Sequence, residues 1–177
     1  MFEKILQNNI KIKKNKGFTL IELLLYIAIS SIILLITSLF LSTLLESRVK
    51  NQTISEVEQQ GVQVMQIITQ TIRNGDIVNS PTAGTSSASL SLNTFTPANN
   101  PTVFDLSSGV IQIKEGTSTV IPLTNSKVTA SSLSFLNLSR SSTPGVVQVS
   151  FTISYLNLSG RNEYSFTKNF IGSASLR

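Results

Sequence analysis

Between Gly17 and Leu45 the chain carries one charged side chain, Glu22, and it stands one residue before an apolar run that starts at Leu23. A carboxylate at the edge of hydrocarbon loses hydration and is best tolerated with a cation as partner. Cations are close by in the sequence: Lys4, Lys11, Lys13, Lys14 and Lys16 precede Gly17, opposed there only by Glu3. An acid near a helix N-terminus is also favoured by the helix dipole. One reading of Glu22 is therefore a carboxylate resting at headgroup depth in an ordinary signal-anchor. The other is a charge placed to find a specific partner.

Little else in the chain offers chemistry. There is no histidine and no cysteine. The commonest general base, the commonest zinc ligand, thiolate metal sites and disulfides are all excluded. Serine nucleophiles would have no histidine to activate them. Beyond residue 60 the acids are Asp76, Asp105, Glu115 and Glu163, which share no ligand spacing, and Asp105 lacks the flanking acids of a calcium loop. No metal, no cofactor and no enzymatic activity are expected. Asn51, Asn137 and Asn157 each begin an Asn-X-Ser/Thr triplet, a pattern common by chance in a chain this rich in Asn and Ser.

The charge distribution points the same way. A pI of about 9.7 suggests a nucleic-acid binder, but the excess of positive charge lies in residues 1–17, and the body is close to neutral. The basic segment reads as a topology signal, with no direct nucleic-acid partner.

The elements around Glu22 follow from hydropathy. Leu23 to Leu45 contains no charge, proline or glycine. As a helix it spans about 34 Å, enough to cross a bilayer and longer than the apolar core of a cleaved secretory signal. With the lysines before it, the N-terminus stays cytoplasmic and the rest lies outside. Ile54, Val57, Gly61, Val64, Ile68 and Ile72 then recur at threes and fours, the stripe of an amphipathic helix, and Asn74-Gly75 supplies a stop. One helix from Phe18 to Arg73 would be about 84 Å long.

After the helix the texture is polar. NSPTAGTSSAS and TPANNP read as loops, with the loop region at 79–102. GVIQIKEGTSTVIPL reads as a hairpin turning near Glu115-Gly116. SSLSFLNLS reads as a strand before a turn at residues 141–145. VVQVSFTISYLNL and EYSFTKNFI form a second hairpin about Gly160-Arg161-Asn162. Its apolar face carries Val147, Val149, Phe151, Ile153 and Tyr155, with Tyr164, Phe166 and Phe170 on the return. The helix stripe is the natural cover for that face. SFLNLSR and SYLNLSG are two similar strands, too few copies for a repeat architecture.

The segment KGFTLIELL, Lys16 to Leu24, with the apolar run behind it, resembles the processing motif of type IV prepilins and type II secretion pseudopilins. The resemblance implies an α+β, pilin-like fold, a long helix whose first half is transmembrane packed on a C-terminal antiparallel sheet. The implied divisions are a leader at 1–17, a membrane or filament-core helix at 18–45, its amphipathic second half at 46–75, and a loop-plus-sheet head at 76–177. It implies cleavage between Gly17 and Phe18 by a prepilin peptidase, which also methylates the new amine of Phe18. Glycine suits a scissile bond because no side chain obstructs the protease. Glu22 becomes the fifth residue of the mature chain, where the family's acid meets the N-terminal amine of a neighbouring subunit during filament assembly. As a cation–anion pair in a medium of low dielectric it would fix the register of packing. Glu22 could equally pair with its own amine, four residues back on the same helix. Other pilins or pseudopilins, the membrane and an inner-membrane assembly platform are the implied partners, and a cytoplasmic-membrane precursor followed by a pilus or pseudopilus the implied location.

Three features depart from the usual major pilin: a leader of 17 residues, no proline in the membrane helix, and no C-terminal disulfide. They lean toward a minor pilin or pseudopilin, and VMQIITQTIRNGDIVNSP resembles the group with the PilW and PulJ/GspJ type subunits. The alternative is a signal-anchored extracytoplasmic binding domain that never polymerises.

Overall fold

The computed structural model describes residues 17–140 and 145–177. The basic leader before Gly17 and most of the expected turn at 141–145 lie outside the described residues. Among the described residues one α-helix, α1 (Leu20–Arg73), is followed by nine strands. The chain divides into two compact units, the first ending at Leu44 and the second comprising Leu45–Arg177.

In the first unit the helix is apolar on all sides, and no side chain from Gly17 to Leu44 is buried. A helix hydrophobic all round needs an apolar environment to cover it. It is long and apolar enough to cross a membrane once. Three of its hydroxyls turn inward on the helix: Ser31 donates to the Ile27 carbonyl at 2.8 Å, Thr37 to Leu34 at 3.0 Å and Thr43 to Leu39 at 2.8 Å. Such bonds satisfy a hydroxyl without water or a second helix.

The second unit is built on the C-terminal stretch of α1. Thr53, Val57, Gly61, Val64, Ile68 and Ile72 are its buried residues. The stripe is the expected one except at its start, where Thr53 takes the inward position and Ile54 is half-buried. The helix ends as Asn74 donates to the carbonyls of Gln70 and Thr71, and Gly75 begins the first strand.

The head holds two antiparallel sheets where the sequence suggested one. The first has the order β1 (Gly75–Ser80), β3 (Leu90–Thr94), β4 (Thr102–Ser107), β5 (Val110–Glu115), β6 (Ile121–Pro122). The second has the order β2 (Ser86–Ser87), β7 (Val128–Asn137), β8 (Val146–Tyr155), β9 (Thr167–Ser175). Most of the first sheet occupies residues expected to be loop or left unassigned. β3 buries Leu90 and Leu92, and β4 buries Thr102 and Phe104. A two-residue turn at Ser108-Gly109, both at positive φ, joins β4 to β5. The two expected hairpins are present. β5 pairs with β6 past Gly116, whose φ of 53° suits the turn, and β8 pairs with β9 through nine consecutive residues.

The inward faces of both sheets and the helix stripe share one core. Val147, Val149, Phe151 and Ile153 alternate inward along β8 as expected. Phe104 and Phe135 meet across the sheets at 6.4 Å between ring centroids. The chain between β1 and β3 crosses to the second sheet, where buried Asn137 binds it. Its amide donates to the Pro81 carbonyl at 2.7 Å, its carbonyl accepts from Gly84, and its N–H donates to Thr85. This buried role accounts for an asparagine that by sequence matches only a glycosylation triplet. The similar strands at 134–140 and 154–160 differ in structure: the first runs along β7, the second leaves β8 into a loop.

Candidate functional site

The residues singled out by sequence lie at the start of α1. Gly17 and Phe18 precede the helix and are exposed, Phe18 at 73 %. A Cβ added to Gly17 would meet no atom within 4 Å. The Gly17–Phe18 peptide is thus outside regular structure and sterically open, the condition under which a protease can take a backbone into its cleft.

What ends the helix here is Thr19. Its Oγ1 accepts from the Glu22 N–H at 3.3 Å, and its carbonyl accepts from the Leu23 N–H at 3.1 Å. Thr19 is the N-cap, satisfying a backbone donor that the first helical turn leaves open. Threonine followed three residues later by glutamate is also the sequence of a capping box. The capping role of Thr19 is a finding of the structure, although the T-x-x-E spacing carries its signal. In the uncut chain Phe18 lies outside the helix, which begins at Leu20. The Phe18 ring packs edge-on against Tyr26, centroids 5.9 Å apart and planes at 77°.

Glu22 itself is exposed in the first turn of α1, and among the described residues its carboxylate forms no ion pair. The nitrogen of Phe18 is an amide in the intact chain. Only cleavage after Gly17 would turn it into an ammonium near this carboxylate.

The head offers packing and clefts. Glu56 accepts from Asn125 at 2.6 Å and pairs with Lys127 at 3.4 Å, Glu58 pairs with Lys168 at 2.6 Å, and Lys50 donates to the carbonyls of Asn162 and Ser165. These polar ties lie at intervals along the helix and fix the sheet against it. A surface cleft of about 540 Å³ is lined by Gln52, Glu56 and Lys127 together with Tyr155 and Tyr164, whose rings stack on each other. Among the described residues no group of three or more acids gathers as metal ligands would. Asp76, Asp105, Glu115 and Glu163 are spread over different elements, and Glu163 is paired with Arg161.

In comparison with known families, residues 12–38 match the prokaryotic N-terminal methylation motif. The match covers Gly17, Phe18, Thr19 and Glu22 and ends inside the apolar run. No curated protein and no solved structure matches the chain.

Proposed function

We infer that this chain is a prepilin-type precursor of the type IV pilin and pseudopilin family, and we propose that it serves as a structural subunit of a filament. The observation that carries the reading is the methylation motif at residues 12–38, joined to an open peptide at Gly17–Phe18 and, among the described residues, one helix long and apolar enough to cross a membrane. The motif implies a prepilin peptidase, other pilins and a membrane as partners.

In this reading the peptidase hydrolyses the Gly17–Phe18 bond from the cytoplasmic side, where the lysine leader is held. The leader departs with the new Gly17 carboxylate. The amine of Phe18 is then methylated and remains a cation. Glu22 is the anion that receives such an amine from a neighbouring subunit as the apolar run passes from lipid to a bundle of like helices. An unpaired carboxylate in that bundle is costly, so subunits seat only where charge meets charge. The head stays outside. The absence of proline in the span and of a disulfide supports a minor pilin or pseudopilin acting with an inner-membrane assembly platform.

Glu22→Ala and Glu22→Gln test the pairing step apart from cleavage. Both variants should be cut normally and enter sheared filaments at a small fraction of the wild-type level. Full incorporation of both would remove the pairing role. A chain cut normally but never found in filaments, even as wild type, would favour the anchored, non-polymerising alternative.

A further inference from the structure

The most exposed large apolar side chain among the described residues is in the head: Leu158, at 88 %, exceeds every residue of the membrane run. It sits at the tip of the loop between β8 and β9, with Leu156 43 % exposed behind it. The loop is ordered around it. Asn157 donates to the Arg161 carbonyl at 2.8 Å, Ser159 donates to the Asn157 side chain at 3.2 Å, Gly160 turns at a φ of 67°, and Tyr155 stacks on Tyr164. A leucine held out by a built loop needs a reason, since the same turn could carry a polar residue there.

Its place in the head supplies one. Contacts of β9, and of Ser165 just before it, with α1 descend in step: Gly172 lies at Met65, Phe170 at Gly61, Lys168 at Glu58, and the Ser165 carbonyl at Lys50. The loop is therefore at the end of the head toward Leu45, the last residue of the apolar run. Lys50 is one to two helical turns from Leu45, about 7.5 Å along the axis. Three residues beyond Tyr155 reach roughly 10 Å, so Leu158 can attain the level of Leu45.

We propose that this loop is a lipid-facing foot: Leu158, with Leu156, enters the interfacial layer of the bilayer that holds the apolar run. The cations fit such a surface. Lys50 ties the loop to the helix, Arg48 is exposed, and Arg161, though paired with Glu163, keeps 59 % of its side chain exposed; Glu46 is the opposing acid. An apolar tip among cations is the arrangement that binds headgroups and acyl chains together. The foot would hold the head at a fixed height on the membrane until the subunit leaves it. The inference rests on the reading that residues 23–45 lie in the bilayer.

The chain has no tryptophan, so single introduced ones report cleanly. Leu158→Trp, Leu138→Trp and Leu34→Trp would each be placed in the full chain and reconstituted in nanodiscs of phosphatidylethanolamine and phosphatidylglycerol, with plain or brominated acyl chains. Leu138 is the control because it is exposed at the other end of the sheet, following the β7 end that pairs with Val147. Emission at positions 158 and 34 should fall at least about twofold in brominated lipid, and position 138 should be unaffected, as for an interfacial side chain, a spanning one and a wet one. Quenching at 34 with position 158 behaving like 138 overturns the proposal, including the case where 158 becomes shielded only in filaments, which would mark a protein contact. No quenching at 34 would overturn the bilayer reading and the foot with it.

Discussion

At Gly61 a side chain of the sheet, Phe170, packs directly on the helix backbone, and the contact gives a prediction whose sign can be reversed. A Cβ built on Gly61 would overlap the outer ring atoms of Phe170. That ring is stacked on Phe151 at 5.4 Å between centroids, with the Lys168 ammonium 5.7 Å from its centroid, so it has little freedom to retreat. Forcing a methyl into such a contact costs about 1–3 kcal/mol. Replacing glycine by alanine inside a helix returns about 1 kcal/mol through backbone entropy. Gly61→Ala should therefore destabilise the head by about 0–2 kcal/mol, a fall in Tm of up to about 8 °C for a unit of this size. With Phe170→Ala as background the obstruction is gone and only the helix gain remains. There Gly61→Ala should stabilise by about 1 kcal/mol, for a coupling of about 1–3 kcal/mol between the sites. Thermal unfolding of the full chain in detergent, followed by the near-ultraviolet circular dichroism of the Tyr155–Tyr164 pair, measures both effects. An equal effect of Gly61→Ala in the two backgrounds would refute the steric argument.

Other outcomes are expected at the helix start and in the core. Gly17→Val places a branched side chain at the peptide expected to be cut, and should leave the precursor uncleaved on an immunoblot where Gly17→Ala is merely slowed. Thr19→Ala removes the cap, worth about 1 kcal/mol, and should speed hydrogen exchange of the first-turn amides by about fivefold. Phe135→Ala removes a fully buried ring from between the sheets and should cost about 3–5 kcal/mol in the same unfolding assay.

The parts of this molecule that could be read from sequence are those with a strong period or a specific motif. The stripe from Val57 to Ile72 is visible because every inward position carries an apolar residue or the glycine that admits Phe170. β8 is visible because Val147, Val149, Phe151 and Ile153 alternate without a break. The first sheet was hidden for the opposite reason. β3 shows only Leu90 and Leu92 among serines, β4 puts a buried threonine beside Phe104, and Pro97 and Pro101 punctuate the stretch as they would a loop. Such short strands form because the neighbouring strands and the shared core complete them, which no local window contains. The return strand of the last hairpin was also misplaced. Tyr164 lies in a short 3-10 turn, where its ring stacks on Tyr155, and β9 starts only at Thr167. At the candidate site, Gly17, Phe18 and Glu22 were legible as a motif. The cap by Thr19, which holds Phe18 off the helix, appears only once the backbone is seen.

The most direct test of the central claim is the intact mass of the protein extracted from its own membrane, combined with N-terminal sequencing. A chain beginning at Phe18 and carrying one added methyl is the expected result, with the Phe18 amine free to meet Glu22 of another subunit. A chain that retains Lys16 and Gly17 would contradict it, and α1 would then be a membrane anchor for a head that does not polymerise.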